Sequence, residues 1–205
     1  MMKIGITGSV ASGKSTASKL ISSGRGPLFN ADIIVKKLYN KNHFRQIVSK
    51  KFKFKLDSQF KKNLKDKIFK KQENFKKLEK LIHPIVRKEM FVFLKKNKNK
   101  KFLFLEIPLL IESKMQKYFD KTIFIKSNKK LRLKRYELKG GNVHLFNLLD
   151  KKQIKDTKKM KLCDHVIVNN KSFLVLKQKI LNIIKKYEWS FLGYWNNRTI
   201  ISGGP

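Results

Sequence analysis

Residues 8 to 16 read Gly-Ser-Val-Ala-Ser-Gly-Lys-Ser-Thr, a complete G-x-x-x-x-G-K-[ST] phosphate loop, directly after the apolar run Lys3-Ile4-Gly5-Ile6-Thr7. No other feature narrows the fold as much. Gly8 and Gly13 permit backbone angles closed to other residues, so successive N–H groups can turn inward around a polyphosphate. Lys14 is then placed to reach the β- and γ-phosphates and the Ser15 hydroxyl to ligate Mg²⁺. A helix expected from about Gly13 to Ser22 points its positive end at the same anion. The spacing therefore predicts a nucleoside triphosphate ligand.

A chain of 205 residues suits one α/β domain with a small inserted subdomain. No stretch is apolar for long enough to cross a membrane, and no secretory signal layout precedes the first strand. The single cysteine, Cys163, excludes an internal disulfide and any multi-cysteine metal site. A soluble, cytoplasmic protein without a membrane partner is expected, a monomer or small homo-oligomer. Lys plus Arg number 50 against 14 Asp plus Glu, a net charge of +36. That charge is compatible with polyanion binding. The lysines are nevertheless spread along the whole chain, and Lys, Asn, Ile and Phe, which share A/T-rich codons, are enriched together. No specific nucleic-acid partner is expected.

Strand candidates are Lys3 to Thr7, Pro27 to Asn30, Phe102 to Ile107, Lys121 to Ile125 and His165 to Asn169, each short, apolar and bounded by turn or charged residues. Helical stretches alternate with them, the last from about Ser172 to Tyr187. This predicts a three-layer phosphate-loop NTPase fold, α/β in class, with a five-stranded parallel sheet and its ligand at the C-terminal edge. Two segments interrupt the alternation. Between Ile33 and Lys101 the sequence is helical and lysine-laden, which predicts a helical substrate-binding insertion at about 33–95. A basic helical stretch at about 129–161, broken by Gly140-Gly141, predicts a lid. The tail at 188–205 shows no assignable pattern.

Phosphoryl transfer also needs a base, metal ligation and cations for the developing charge. Asp32, just past the second strand, is placed to accept a substrate hydroxyl proton, or else to cap the following helix. Pro108 ends the third strand, and Glu112 either holds a substrate hydroxyl or ends a short helix against a nearby lysine. Arg132, Arg135 and Lys139 fall on one predicted helix face, from which Arg135 can reach the transferring phosphoryl group. His83 is either a substrate-phosphate donor or a structural group where Pro84 opens a helix.

In order along the chain, these motifs resemble the dephospho-coenzyme A kinase family. Thr7-Gly8 through Ser12-Gly13-Lys14-Ser15-Thr16 is similar to its phosphate loop, Asn30-Ala31-Asp32-Ile33 to its Asp-Ala-Asp element, and Leu81-Ile82-His83-Pro84 to its histidine-proline segment. Pro108-Leu109-Leu110-Ile111-Glu112 and Cys163-Asp164-His165-Val166-Ile167-Val168-Asn169-Asn170 match two later segments, with Gln153 standing 11 positions before Asp164. The resemblance implies transfer of the ATP γ-phosphoryl group to the 3′-hydroxyl of dephospho-CoA. It implies ATP contacts from Gly8, Ala11, Ser12, Gly13, Lys14, Ser15, Thr16, Arg135 and Asn169, with catalysis by Asp32, Lys14 and Arg135. Mg²⁺ would sit on Ser15, and the acceptor against Asp32, His83, Pro108, Leu109 and Glu112. Asn30 departs from the family's first aspartate, and Lys139, Lys159 and Lys61 stand at arginine positions, where lysine keeps the charge but loses the bidentate fork. Another small-molecule kinase of the same fold, and an ATP-dependent nucleic-acid-binding protein, are the alternative readings.

Overall fold

The computed structural model describes residues 1–199, with their side chains except at 69, 70, 72 and 189–199. Five strands, β1 (Met2–Gly8), β2 (Leu28–Asn30), β3 (Phe102–Glu106), β4 (Lys121–Lys126) and β5 (His165–Val168), form one sheet in the order β2-β3-β1-β4-β5. All five coincide with stretches predicted from sequence. The pairs β1–β3, β1–β4 and β4–β5 are parallel, with Ile6 opposite both Glu106 and Ile123. The chain divides into two compact units, Met1–Leu28 with Asn99–Pro205, and Phe29–Lys98.

In the first unit, α1 (Lys14–Ser22) and α9 (Phe173–Thr199) cover one sheet face. Strand residues two apart point the same way. Ile4 and Ile6, Phe102 and Phe104, and Ile123 and Ile125 therefore share that face with Ile167, and all are buried against Ala17 and Ile21 of α1. From α9 come Leu176, Ile180 and Ile184, spaced by one helical turn. Each such buried side chain contributes on the order of 1.5–3 kcal/mol. Facing the other way are Leu103, Leu105 and Phe124, also buried. Beyond β4 the chain forms α6 (Lys129–Glu137), α7 (Val143–Lys152) and α8 (Asp156–Lys161). The patternless tail begins inside α9, which runs on to Thr199, and residues 200–205 lie outside the described ones.

The second unit holds α2 (Ala31–Asn40), α3 (Asn42–Phe52), α4 (Phe60–Lys70) and α5 (Gln72–Lys96). Its core gathers Leu38, Phe44, Val48, Phe52, Phe60, Leu64 and Leu78, with Arg45 stacked 5.1 Å from the Phe60 ring centroid. Pro84 does not open a helix, contrary to the sequence reading. It lies inside α5 on an exposed position, and the helix continues because Leu78, Leu81, Ile82 and Ile85 carry one apolar stripe across it. A proline removes one ladder hydrogen bond, and on a solvated helix side the freed carbonyl can be hydrated.

Asp164 joins β4 to β5 ahead of their ladder. Its carboxylate accepts from the Thr122 amide at 2.8 Å and hydroxyl at 2.7 Å, with Lys121 Nζ at 3.4 Å. Partial burial alone would raise its pKa, but the Thr122 bonds and Lys121 together hold it below the ordinary carboxylate range. A carboxylate lowered on folding stabilises above its unfolded pKa, and the contribution fades as pH falls through the folded value. Asp164→Ala is therefore expected to cost about 1–2 kcal/mol in urea unfolding near pH 7. The gap to wild type should shrink as pH drops through about 4 and below. A gap that holds constant to pH 3 would remove the carboxylate from this role.

Candidate active site

The phosphate loop joins β1 to α1 in the first unit. Gly13, the N-cap of α1, has φ +88°, and a Cβ there would stand 2.3 Å from the Asn169 amide nitrogen. Only glycine satisfies both conditions. Ala11 takes φ +57°, a left-handed angle that costs an alanine on the order of 1 kcal/mol. No side chain caps the first turn of α1, so its leading N–H groups remain available to an anion. Ser12 Oγ is buried and has no hydrogen-bond partner among the described residues.

A peptide plane is rigid and trans, so its C=O and the next N–H point in opposite directions. Holding a carbonyl on the outside of the loop thus turns the following amide inward. Arg132 Nη1 donates to Val10 O at 3.3 Å, which fixes the amide of Ala11. Asn169 Nδ2 at 2.9 Å and Arg135 Nη1 at 3.4 Å donate to Ser12 O, which fixes that of Gly13. Ser9 donates its hydroxyl to the Asp156 carboxylate at the start of α8.

Arg132 is 5% exposed and fully engaged: Nε on Ser127 O at 3.1 Å, Nη1 on Asp150 at 2.7 Å, its guanidinium 5.5 Å from the Phe146 ring. Arg135 also reaches Ser127 Oγ and Asn169 O, both at 3.1 Å. Lys139 does not continue their face. It lies past the end of α6 and is exposed, because the helix stops at Glu137 ahead of the positive-φ Gly140.

Lys14 and Ser15 meet a residue to which the sequence reading gave no role. Glu106, the last residue of β3, is 0% exposed, takes the Ser15 hydroxyl at 2.6 Å and lies 3.9 Å from Lys14 Nζ. An acidic residue closing an all-apolar strand, Phe-Leu-Phe-Leu-Glu, was the available signal. A hydroxyl and a carboxylate beside a lysine are hard oxygen donors suited to Mg²⁺. Thr16 is exposed on the next position of α1. Past β3, the Thr7 hydroxyl donates to Pro108 O at 3.0 Å, and Leu109 and Glu112 follow in consecutive turns. Glu112 ends no helix. The lysine it meets is Lys159 on α8, at 2.6 Å, and its Oε2 is buried without a hydrogen-bond partner.

Asp32 and His83 belong to the second unit. Asp32 does not cap α2: Asn30 is the N-cap, its Oδ1 accepting from Ile33 N at 3.1 Å. Asp32 lies one position inside the first turn, exposed, and its carboxylate makes no hydrogen bond or ion pair among the described residues. His83 sits within α5, where burial and then the positive charge of Arg87 lower its pKa. The imidazole is neutral at pH 7.

Residues 2–174 match the family model described as dephospho-CoA kinase. A dephospho-CoA kinase of Rickettsia typhi is 31% identical over 92% of this chain and 98% of its own length. One from Fusobacterium nucleatum is 33% identical over 88% and 95%. The solved dephospho-CoA kinase of Campylobacter jejuni superposes with a TM-score of 0.63 at 28% identity, covering 90% of this chain and 96% of that one.

Gly13→Ala adds a methyl where both φ and the Asn169 amide forbid it. Expected are a loss of about 1–2 kcal/mol in unfolding free energy and no measurable ADP binding by titration calorimetry. Wild-type affinity in that variant would show that the loop binds without this geometry.

Proposed function

The chain belongs to the dephospho-CoA kinase family, and from that membership we propose how its residues divide the work. The reaction is ATP-dependent phosphorylation of dephospho-CoA to coenzyme A, the last step of coenzyme A synthesis. The observation that carries the assignment of roles is the buried group of Lys14, Ser15 and Glu106 beside a loop whose carbonyls are held outward.

ATP lies with its phosphates on the loop amides from Gly8 through Thr16, which lose little freedom on binding because their planes are already set. Lys14 supplies a mobile positive charge to the β- and γ-phosphates. Arg135, 3.9 Å from the position of a Gly13 Cβ, adds a second cation next to them. Asn169 borders the nucleotide through the amide that braces Ser12. When Mg²⁺ is bound, it neutralises phosphate charge and bridges the β- and γ-oxygens. Ser15 would hold it directly and Glu106 through water.

Asp32 is the base. Its carboxylate is free of the capping duty that Asn30 performs, so it is available to take the proton of the acceptor's ribose hydroxyl. His83, neutral, donates a hydrogen bond to the acceptor, while Pro108, Leu109 and the second oxygen of Glu112 border it. Ordinary turnover needs no polynucleotide, and the high net charge is a solvated surface.

ADP release is expected on adding dephospho-CoA with ATP and Mg²⁺, and not with AMP, gluconate or single-stranded RNA. Stimulation by RNA alone would reject the kinase reading. Asp32→Asn should lower kcat about 10²- to 10⁴-fold with ATP affinity nearly unchanged. Comparable turnover in that variant would take Asp32 out of the chemistry. Glu106→Gln keeps an acceptor for Ser15 but removes the charge, and should raise the Mg²⁺ concentration needed for half-maximal rate by about tenfold. An unchanged requirement would dismiss Glu106 from the metal.

A further inference from the structure

We propose that Asp156 is a positioning residue for the phosphate loop, kept at its post by the buried ion pair of Lys159 and Glu112 one turn along α8. Neither the sequence motifs nor the family roles account for three features of this helix. Lys159 is 0% exposed, an expensive place for an ammonium, and is answered by Glu112 Oε1 at 2.6 Å, Gln153 Oε1 at 3.2 Å and the Phe124 ring at 5.9 Å. Glu112 Oε1 also accepts from the Ile154 amide at 3.1 Å, which fixes the chain entering α8. Ser9, 1% exposed, gives its hydroxyl to Asp156.

Ser9 is where the loop turns: its carbonyl accepts from the Ser12 amide at 3.1 Å, closing the turn over Val10 and Ala11. Fixing the Ser9 side chain therefore fixes the start of that turn, while Arg132 and the pair Asn169 and Arg135 fix the carbonyls at Val10 and Ser12. Asp156 is the member that takes a proton instead of giving one. A carboxylate so close to the loop would by charge alone repel a triphosphate, so its contribution must come from geometry. A buried charge pair is poor at adding stability but good at selecting one arrangement, and here the arrangement selected is the placement of Asp156.

The proposal rests on reading residues 8–16 as the nucleotide loop, which wild-type ADP binding and acceptor-dependent turnover test separately. The decisive measurement is a double-mutant cycle of Ser9→Ala and Asp156→Ala, read by ADP affinity and by the KM for ATP, with thermal melts confirming folding. Each single variant is expected to weaken ADP binding about three- to tenfold, and the double variant no more than about twofold beyond either. Asp156→Asn retains an acceptor oxygen, should stay within about twofold of wild type, and serves if Asp156→Ala fails to fold. Multiplying effects in the cycle, or a lowered melting temperature with ADP affinity intact, would make Asp156 only a helix terminus. Tighter ADP binding without the carboxylate, or Asp156→Asn as impaired as Asp156→Ala, would likewise overturn the proposal.

Discussion

A peptide plane turns as a unit, so a loop can present amides to a polyphosphate only if its carbonyls are held on the opposite side. In this protein that holding is done from outside the loop, by Arg132, Arg135 and Asn169. These residues come from α6 and the end of β5, far along the chain. The sheet order explains how they arrive: β4 and β5 lie beside β1, so whatever follows those strands emerges next to the loop that follows β1.

The buried polar groups follow the same logic. Glu106 is wholly enclosed yet touches two residues that face the phosphates, and Lys159 is wholly enclosed yet meets Glu112. In an interior of low dielectric each such group is tolerable only with a partner of opposite charge and good geometry. Both pairs join β3, or the turns after it, to elements on either side of the loop. Their yield is definition of position more than free energy, which suits a site where charge must be met without reorganisation.

Much of this was legible in the sequence. Short apolar runs bounded by turns gave all five strands, and the loop motif located the nucleotide side of the site. Local rules failed where tertiary context overrode them. Pro84 looked like a helix start, but an apolar stripe from Leu78 to Ile85 carries α5 through it. Asp32 looked equally like a cap, but Asn30, two residues earlier, has the extended backbone that a cap requires. Arg132 and Arg135 sit one turn apart and were indistinguishable as cations. Only the fold shows that the first is spent on Ser127, Val10 and Asp150. Contacts such as Ser9 with Asp156, between residues 147 apart, leave no local trace at all.

Ala11 carries one further implication. A glycine at φ +57° would roam both halves of conformational space when the chain is unfolded or the loop is loose, whereas the methyl of alanine closes much of that territory. The small strain it bears is thus exchanged for a narrower ensemble. A loop with fewer shapes to abandon gives up less entropy when a nucleotide arrives, so part of its readiness for ATP is written in the disorder it was never allowed.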